Sequence, residues 1–235
     1  MSSALEEIQT LAKSYDQKLR EEFGDEAFPT GGTLFLGKHY ATSDKIFLGL
    51  NPGSHLAEDR KKFELELREE NGPWGQPSSK FRYWQNCTFF FGSRHRLASW
   101  IEDATSTFLI PWASCSLSEL RKRGKVAERI EEYSGVLVRK MIEHHQAKTL
   151  IVVGVNTLRI LASLSFLDFR LDDHTVDHFP GTDYVPRGYY QWRKVVYQEL
   201  NIYQVPHFSR ANNRKAIIHC ASWLEEDILS RSHVT

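Results

Sequence analysis

The stretch MIEHHQAKTLIVVGVNTLRIL, residues 141–161, decides the fold. It closes one helical pattern, crosses the unalternating apolar run Leu150–Val153, halts at Gly154 and resumes a helical period over 155–164. A strand-length apolar run without alternation reads as a strand covered on both faces. Three more such runs occur. IFLGL at 46–50 is stopped by Asn51-Pro52-Gly53, Phe108–Ile110 by Pro111, and Ile202–Val205 by Pro206. Helical patterns fill the intervals, so the strands run parallel with helices over both faces of the sheet.

Working outward, residues 4–22 carry Leu5, Ile8, Leu11, Tyr15 and Leu19 on one face of an opening helix, which PTGG at 29–32 closes. A charged helix is expected over about 55–70. NGPWGQPSSK at 71–80 is a loop by its Gly, Pro and Ser content, and RYWQNCTFF after it can start as helix. Over 126–145, Val126, Ile130, Val138, Met141 and Ile142 mark an inward stripe, and 212–230 is helical again. Residues 171–197 are the least regular part, and VPRGYYQWRKVVYQEL adds a hairpin or an edge strand. The expected fold is α/β, a single-domain three-layer sandwich around a central, mainly parallel four-stranded sheet, with 1–45 as an N-terminal helical extension and 46–220 as the core.

Composition narrows the function classes. The chain has 235 residues, 41% of them hydrophobic, with 30 Lys+Arg against 30 Asp+Glu. That balance leaves no global field drawing it to nucleic acid or an anionic membrane, so a polyanion must be held by local patches. No apolar run approaches the ~20 residues of a membrane span, and MSSALEEIQT lacks the layout of a secretory signal, so a cytosolic protein is expected. Cys87, Cys115 and Cys220 are scattered and odd in number, which fits a reducing compartment. A four-cysteine metal site is excluded. Among ten histidines the best metal spacing is His174 and His178 with Asp177, but the stretch has no apolar face to make a helix, and a solvated loop is the better reading. The adjacent His144 and His145 point to different sides of a helix and receive no chemical role. No metal or cofactor is expected.

In a parallel sheet every strand presents its carboxyl end on one edge, and ligands bind in the crevice there. The exits are Asn51-Pro52-Gly53-Ser54-His55, Pro111-Trp112, Gly154-Val155-Asn156 and Pro206-His207-Phe208-Ser209-Arg210. An amide, two histidines, an arginine and glycine-freed backbone N–H groups therefore converge on one rim. Singly, each motif reads more readily as a tight turn or a strand cap than as catalytic.

Together they resemble a known pattern. GLNPG at 49–53 and PHFSRAN at 206–212 resemble the two signature motifs of the uracil-DNA glycosylase superfamily, in particular its mismatch-specific and single-strand-selective branches. WGQP at 74–77 with RYW at 82–84, and the 141–161 stretch, are similar to further segments of the mismatch-specific branch in the same order. The resemblance implies a monofunctional glycosylase that breaks the C1′–N bond of a nucleotide flipped out of DNA. Asn51 would hold the attacking water and the sugar, and His207 would donate a hydrogen bond to the pyrimidine oxygen as negative charge develops on the base. Gly49, Gly53, Ser54 and Phe108 would line the base pocket. Trp74 matches the stacking aromatic, with Phe81 and Phe90 as substitutes, and Phe208 with Arg210 matches the wedge that fills the vacated stack. Ordinary core packing is the competing reading for every one of these aromatics. Phosphates would be gripped by Arg121, Lys122 and Arg123 with Lys125, by Arg210, Arg214 and Lys215, by Lys80 and Arg82, and by the hydroxyl or N–H groups of Ser54 and Ser209.

One position departs from the pattern. Where uracil-reading relatives carry an asparagine on the second strand, Phe108 stands here, and a ring cannot make the paired donor–acceptor contact of an amide. A modified or damaged pyrimidine is therefore expected in place of plain uracil, hypermodified phage cytosines included, which would make the enzyme a defence protein. The expected partner is DNA, duplex or single-stranded, acted on by a monomer. A small-molecule nucleoside N-glycosidase and a non-catalytic nucleic-acid-binding module on the same scaffold are the alternatives.

Overall fold

A computed structural model describes residues 3–24, 32–35, 43–50, 65–68, 82–112, 117–164, 167, 169–171, 177–178, 190–209 and 213–230. The chain runs as α1 (Ser3–Phe23), β1 (Gly32–Phe35), β2 (Lys45–Gly49), β3 (Leu65–Arg68), α2 (Arg82–Gly92), α3 (His95–Glu102), β4 (Thr105–Phe108), α4 (Leu117–Arg121), α5 (Lys125–His145), β5 (Thr149–Val153), α6 (Val155–Ser163), β6 (Asp177–His178), β7 (Gln191–Tyr197), β8 (Leu200–Val205) and α7 (Arg214–Ser230).

The main sheet has the order β4-β2-β5-β8-β7, with the two-residue β6 on the outer edge of β7. Its first four strands are mutually parallel and correspond to the four apolar runs. The fifth, β7, is antiparallel to β8 across a tight turn at Gln198 and Glu199, Gln198 taking φ 52°. Sheet size thus exceeds the expected four strands by the β7 hairpin.

Both faces are covered, which explains why the strands do not alternate. Ile46, Leu48, Leu150, Val152 and Ile202 point into one core with residues of α1, α4, α5 and α6. Phe47, Ile151, Val153, Tyr203 and Val205 point into the other, with residues of α2, α3 and α7. Apolar side chains are needed in both directions, and each fully buried one contributes on the order of 1.5–3 kcal/mol of transfer free energy.

Three expectations need correcting. The strand expected at Phe108–Ile110 is Thr105–Phe108. Its TST opening is polar yet wholly buried, and Leu109 and Ile110 continue past it by donating backbone N–H bonds to Gly49 and Leu50, both at 2.8 Å. The charged helix over 55–70 contains instead the strand Leu65–Arg68, parallel to β1. Apolar and charged residues alternate through FELELR, a period of two that a helix cannot use. Asp177 and His178, expected in a solvated loop, pair with Trp192 and Gln191 in an antiparallel strand, and His174 lies outside the described residues.

Helix α1 packs against α5. Tyr15 stacks on Tyr133 at 4.0 Å, and Lys140 pairs with Glu7 at 2.6 Å. Asp16 joins α1 to the chain leaving β4: it accepts the indole N–H of the fully buried Trp112 at 3.0 Å and the Arg20 Nε at 2.9 Å. Trp112 therefore faces the α1 side of the molecule, not the rim. At the far end of α5, His145 is buried with Nδ1 2.8 Å from the Ser43 carbonyl, and desolvation lowers its pKa to about 4. Among the described residues no helix is long and apolar enough to cross a membrane.

Candidate functional site at the carboxyl edge of the sheet

The four parallel strands end along one edge, at Gly49, Phe108, Val153 and Val205. Register places Gly49 opposite Phe108, and Val153 opposite Val205. Gly49 is required by close approach: a Cβ built there would lie 2.8 and 2.9 Å from the Phe108 ring and 3.4 Å from the Tyr83 hydroxyl. The Phe108 ring thus fills the space above Gly49 with a wall that offers no hydrogen bond.

His207 follows β8 by two residues and is partly exposed. It is held from three sides. Gly154, whose N–H donates to the Val205 carbonyl at 2.8 Å, lies directly beneath it: a Cβ on Gly154 would sit 3.0 Å from the imidazole Cδ2 and 3.2 Å from the His207 Cβ. Gly154 also takes φ 85° and ψ 151°, a conformation reserved for glycine, as the chain turns from β5 into α6. The Tyr83 ring meets the imidazole edge-on at 5.9 Å. The Ser209 hydroxyl lies 2.8 Å from Nδ1. When Ser209 donates that bond, Nδ1 is the acceptor and the ring's proton sits on Nε2. Asn156, at the start of α6 on the same rim, is exposed.

Helix α2 buttresses this edge. Tyr83, Asn86 and Phe90 share one face at three- and seven-residue spacing. Asn86 donates its side-chain N–H to the Phe208 carbonyl at 2.6 Å, and Tyr83 and Phe90 pack around the Phe208 ring. Burial of the Tyr83 hydroxyl pushes its pKa well above the ordinary range, and burial does the same to the Cys87 thiol, so neither serves as a base or thiolate nucleophile at neutral pH. The sequence reading gave Tyr83 and Asn86 no role; the helical period that aligns them with Phe90 was the available signal.

Several expected site residues take other positions. Phe208 is fully buried among Phe47, Tyr83, Phe90 and Phe91, and so packs the core where a DNA wedge was expected. Phe90 is also fully buried in that cluster, which removes it as a stacking substitute. Ser209 spends its hydroxyl on His207. Arg121 pairs with Glu131 at 3.0 Å and Lys122 with Glu119 at 2.7 Å, so carboxylates already offset charge in that basic cluster, all four of whose cations stand exposed. Arg214 and Lys215 stand exposed at the start of α7, Arg214 over the Phe89 ring at 5.1 Å. Asn51, Gly53, Ser54, His55, Trp74, Lys80, Phe81, Arg210 and the side chain of Arg82 lie outside the described residues. Among the described residues no group of three His, Cys, Asp or Glu side chains is arranged to hold a metal ion.

What the fold and this edge define is an α/β protein with a histidine braced at the carboxyl ends of its parallel strands. No protein-family model matches the chain, and none of the curated proteins compared with it does either.

Proposed function

We propose that this chain is a monofunctional DNA base glycosylase of the uracil-DNA glycosylase kind, acting on a modified or damaged pyrimidine. One observation carries the reading. His207 is braced at the edge where β8 ends, and β2, which leads into the GLNPG motif, ends on the same edge with only β5 between them. Two strand spacings amount to roughly 10 Å, enough for one nucleobase between groups carried by the two exits.

In this reading the base enters between the two exits. His207 donates from Nε2 to the pyrimidine oxygen, where charge builds as the glycosidic bond lengthens, and a donor fixed beforehand in a partly desolvated site acts without reorganising. Asn51 holds the attacking water; an amide orients it and cannot deprotonate it, so the reaction relies on a good leaving group. Phe108 supports a substrate other than plain uracil, because its ring presents only apolar surface beside Gly49. DNA is gripped by Arg214 and Lys215 with the basic residues of the neighbouring loops, and the protein acts in the cytoplasm, in repair or against phage DNA.

The test is to incubate wild type, Asn51→Ala and His207→Ala with duplex and single-stranded DNA carrying uracil, mismatches or hypermodified cytosines. Alkali-labile sites are scored and released bases identified by mass spectrometry. Base release from modified DNA, lowered about 10²–10³-fold by His207→Ala, is the expected result. Release of uracil alone overturns the substrate assignment, hydrolysis of free nucleosides without DNA cleavage overturns the DNA assignment, and full activity in both variants overturns the site.

A further inference from the structure

We infer that Asn86 is a positioning residue that sets the His207 imidazole through the backbone of its neighbour. The inference rests on the reading of His207 as the group that meets substrate. The segment 206–209 leaves β8 outside the sheet ladder, so its peptide planes must be fixed by other means. Burial of the Phe208 ring anchors one point of it. The peptide that joins Phe208 to Ser209 is fixed by Asn86, whose amide donates to the Phe208 carbonyl at 2.6 Å. That same peptide carries Ser209, whose hydroxyl reaches back to the His207 Nδ1 at 2.8 Å. The chain of constraint therefore runs from α2 to a peptide plane, from that plane to a hydroxyl, and from the hydroxyl to the ring Nδ1. Tyr83, one turn earlier on the same face of α2, limits the tilt of the imidazole edge-on at 5.9 Å.

The Ser209 bond ties the proton position of the ring to the Phe208–Ser209 peptide: where the hydroxyl donates, Nδ1 accepts and the ring proton sits on Nε2, and where Nδ1–H donates, the order is reversed. Moving the Phe208–Ser209 peptide disturbs both the tilt and the proton position of the ring at once.

Asn86→Asp tests this, since it is nearly isosteric and turns a donor into an oxygen facing a carbonyl. Two measurements are made on the full chain: base release from DNA, and the nitrogen and carbon-bound proton signals of the His207 imidazole. The expected result is a fall in kcat of about 10- to 100-fold, the scale of a displaced catalytic group, with KM little changed and the His207 signals moved. In a His207→Gln background the same substitution produces no further fall. Additive losses in the double variant, or His207 signals that stay where they are, overturn the proposal. If Asn86→Asp does not fold, Asn86→Ala carries the same comparison. If wild type releases no base from any DNA, the glycosylase reading fails while the imidazole spectra still decide the role of Asn86.

Discussion

Replacing Gly154 by alanine puts one methyl group into space that His207 occupies. Two costs arise together. The backbone, at φ 85° and ψ 151°, lies in a region that residues with a Cβ rarely adopt, at a cost on the order of 1–3 kcal/mol. The new Cβ would also stand 3.0, 3.2 and 3.4 Å from the His207 Cδ2, Cβ and Cγ. The second contact is with the root of the side chain, so a rotamer change does not relieve it and the backbone of the 206–209 segment must give by a few tenths of an ångström. Gly124 separates the two effects: it also has positive φ, 57°, yet a Cβ there meets nothing within 4 Å. Both Gly154→Ala and Gly124→Ala should lower the melting temperature by about 2–12 °C, from 2–4 °C per kcal/mol at this chain length. Only Gly154→Ala should slow base release, by about tenfold or more, because only it displaces the imidazole. Thermal unfolding followed by circular dichroism and a single-turnover cleavage assay give the two numbers. A Gly154→Ala protein with wild-type melting and wild-type base release would refute the contact, and equal loss of activity in both variants would show that strain alone is responsible.

Asp16→Ala removes the acceptor of the Trp112 indole N–H and the partner of Arg20, and should cost about 1–3 kcal/mol by leaving a buried donor unpaired; denaturant titration measures it, and Asp16→Asn, which keeps an acceptor oxygen, should recover part of the loss. Phe208→Ala should lower stability by about 3–5 kcal/mol as a core truncation, read from the denaturation midpoint, whereas a DNA wedge would lose activity at unchanged stability. His145 contributes a pH dependence with a defined sign. Its folded pKa of about 4 lies below the ordinary 6.5, so the unfolded chain binds the proton more readily and stability falls as pH drops from 6.5 towards 4, by up to about 3 kcal/mol. His145→Gln should flatten that part of the stability profile, and an unchanged slope would assign it to other groups.

The parallel strands were legible because burial on both faces leaves an apolar run that polar punctuation ends sharply, as Gly154 and Pro206 do. The same rule misplaced β4. Its threonines and serine are buried at the end of the sheet, and the apolar run marks the chain leaving it. Alternation in FELELR was present in the sequence but outweighed by its charge count. At the site, the strand-exit rule located His207, because topology alone sends it to that edge; Gly49 and Phe108 came from the resemblance, and the exit placed at Pro111-Trp112 turns towards α1 instead. What the sequence could not show is the direction in which each ring faces. Phe208 beside His207 reads as a loop aromatic until α2 supplies the pocket that buries it, and the partners of Arg121 and Lys122 emerge only when α4 and α5 are folded.

The pairing of α1 with α5 has a consequence for synthesis on the ribosome. The apolar face of α1, with Ile8, Ala12 and Leu19, finds its cover in a helix that begins more than a hundred residues later. At 5–20 residues per second, that face waits roughly 6–25 s before its partner is made. For that interval the nascent chain offers a ready amphipathic segment to chaperones, and docking of the first helix becomes one of the late events of its folding.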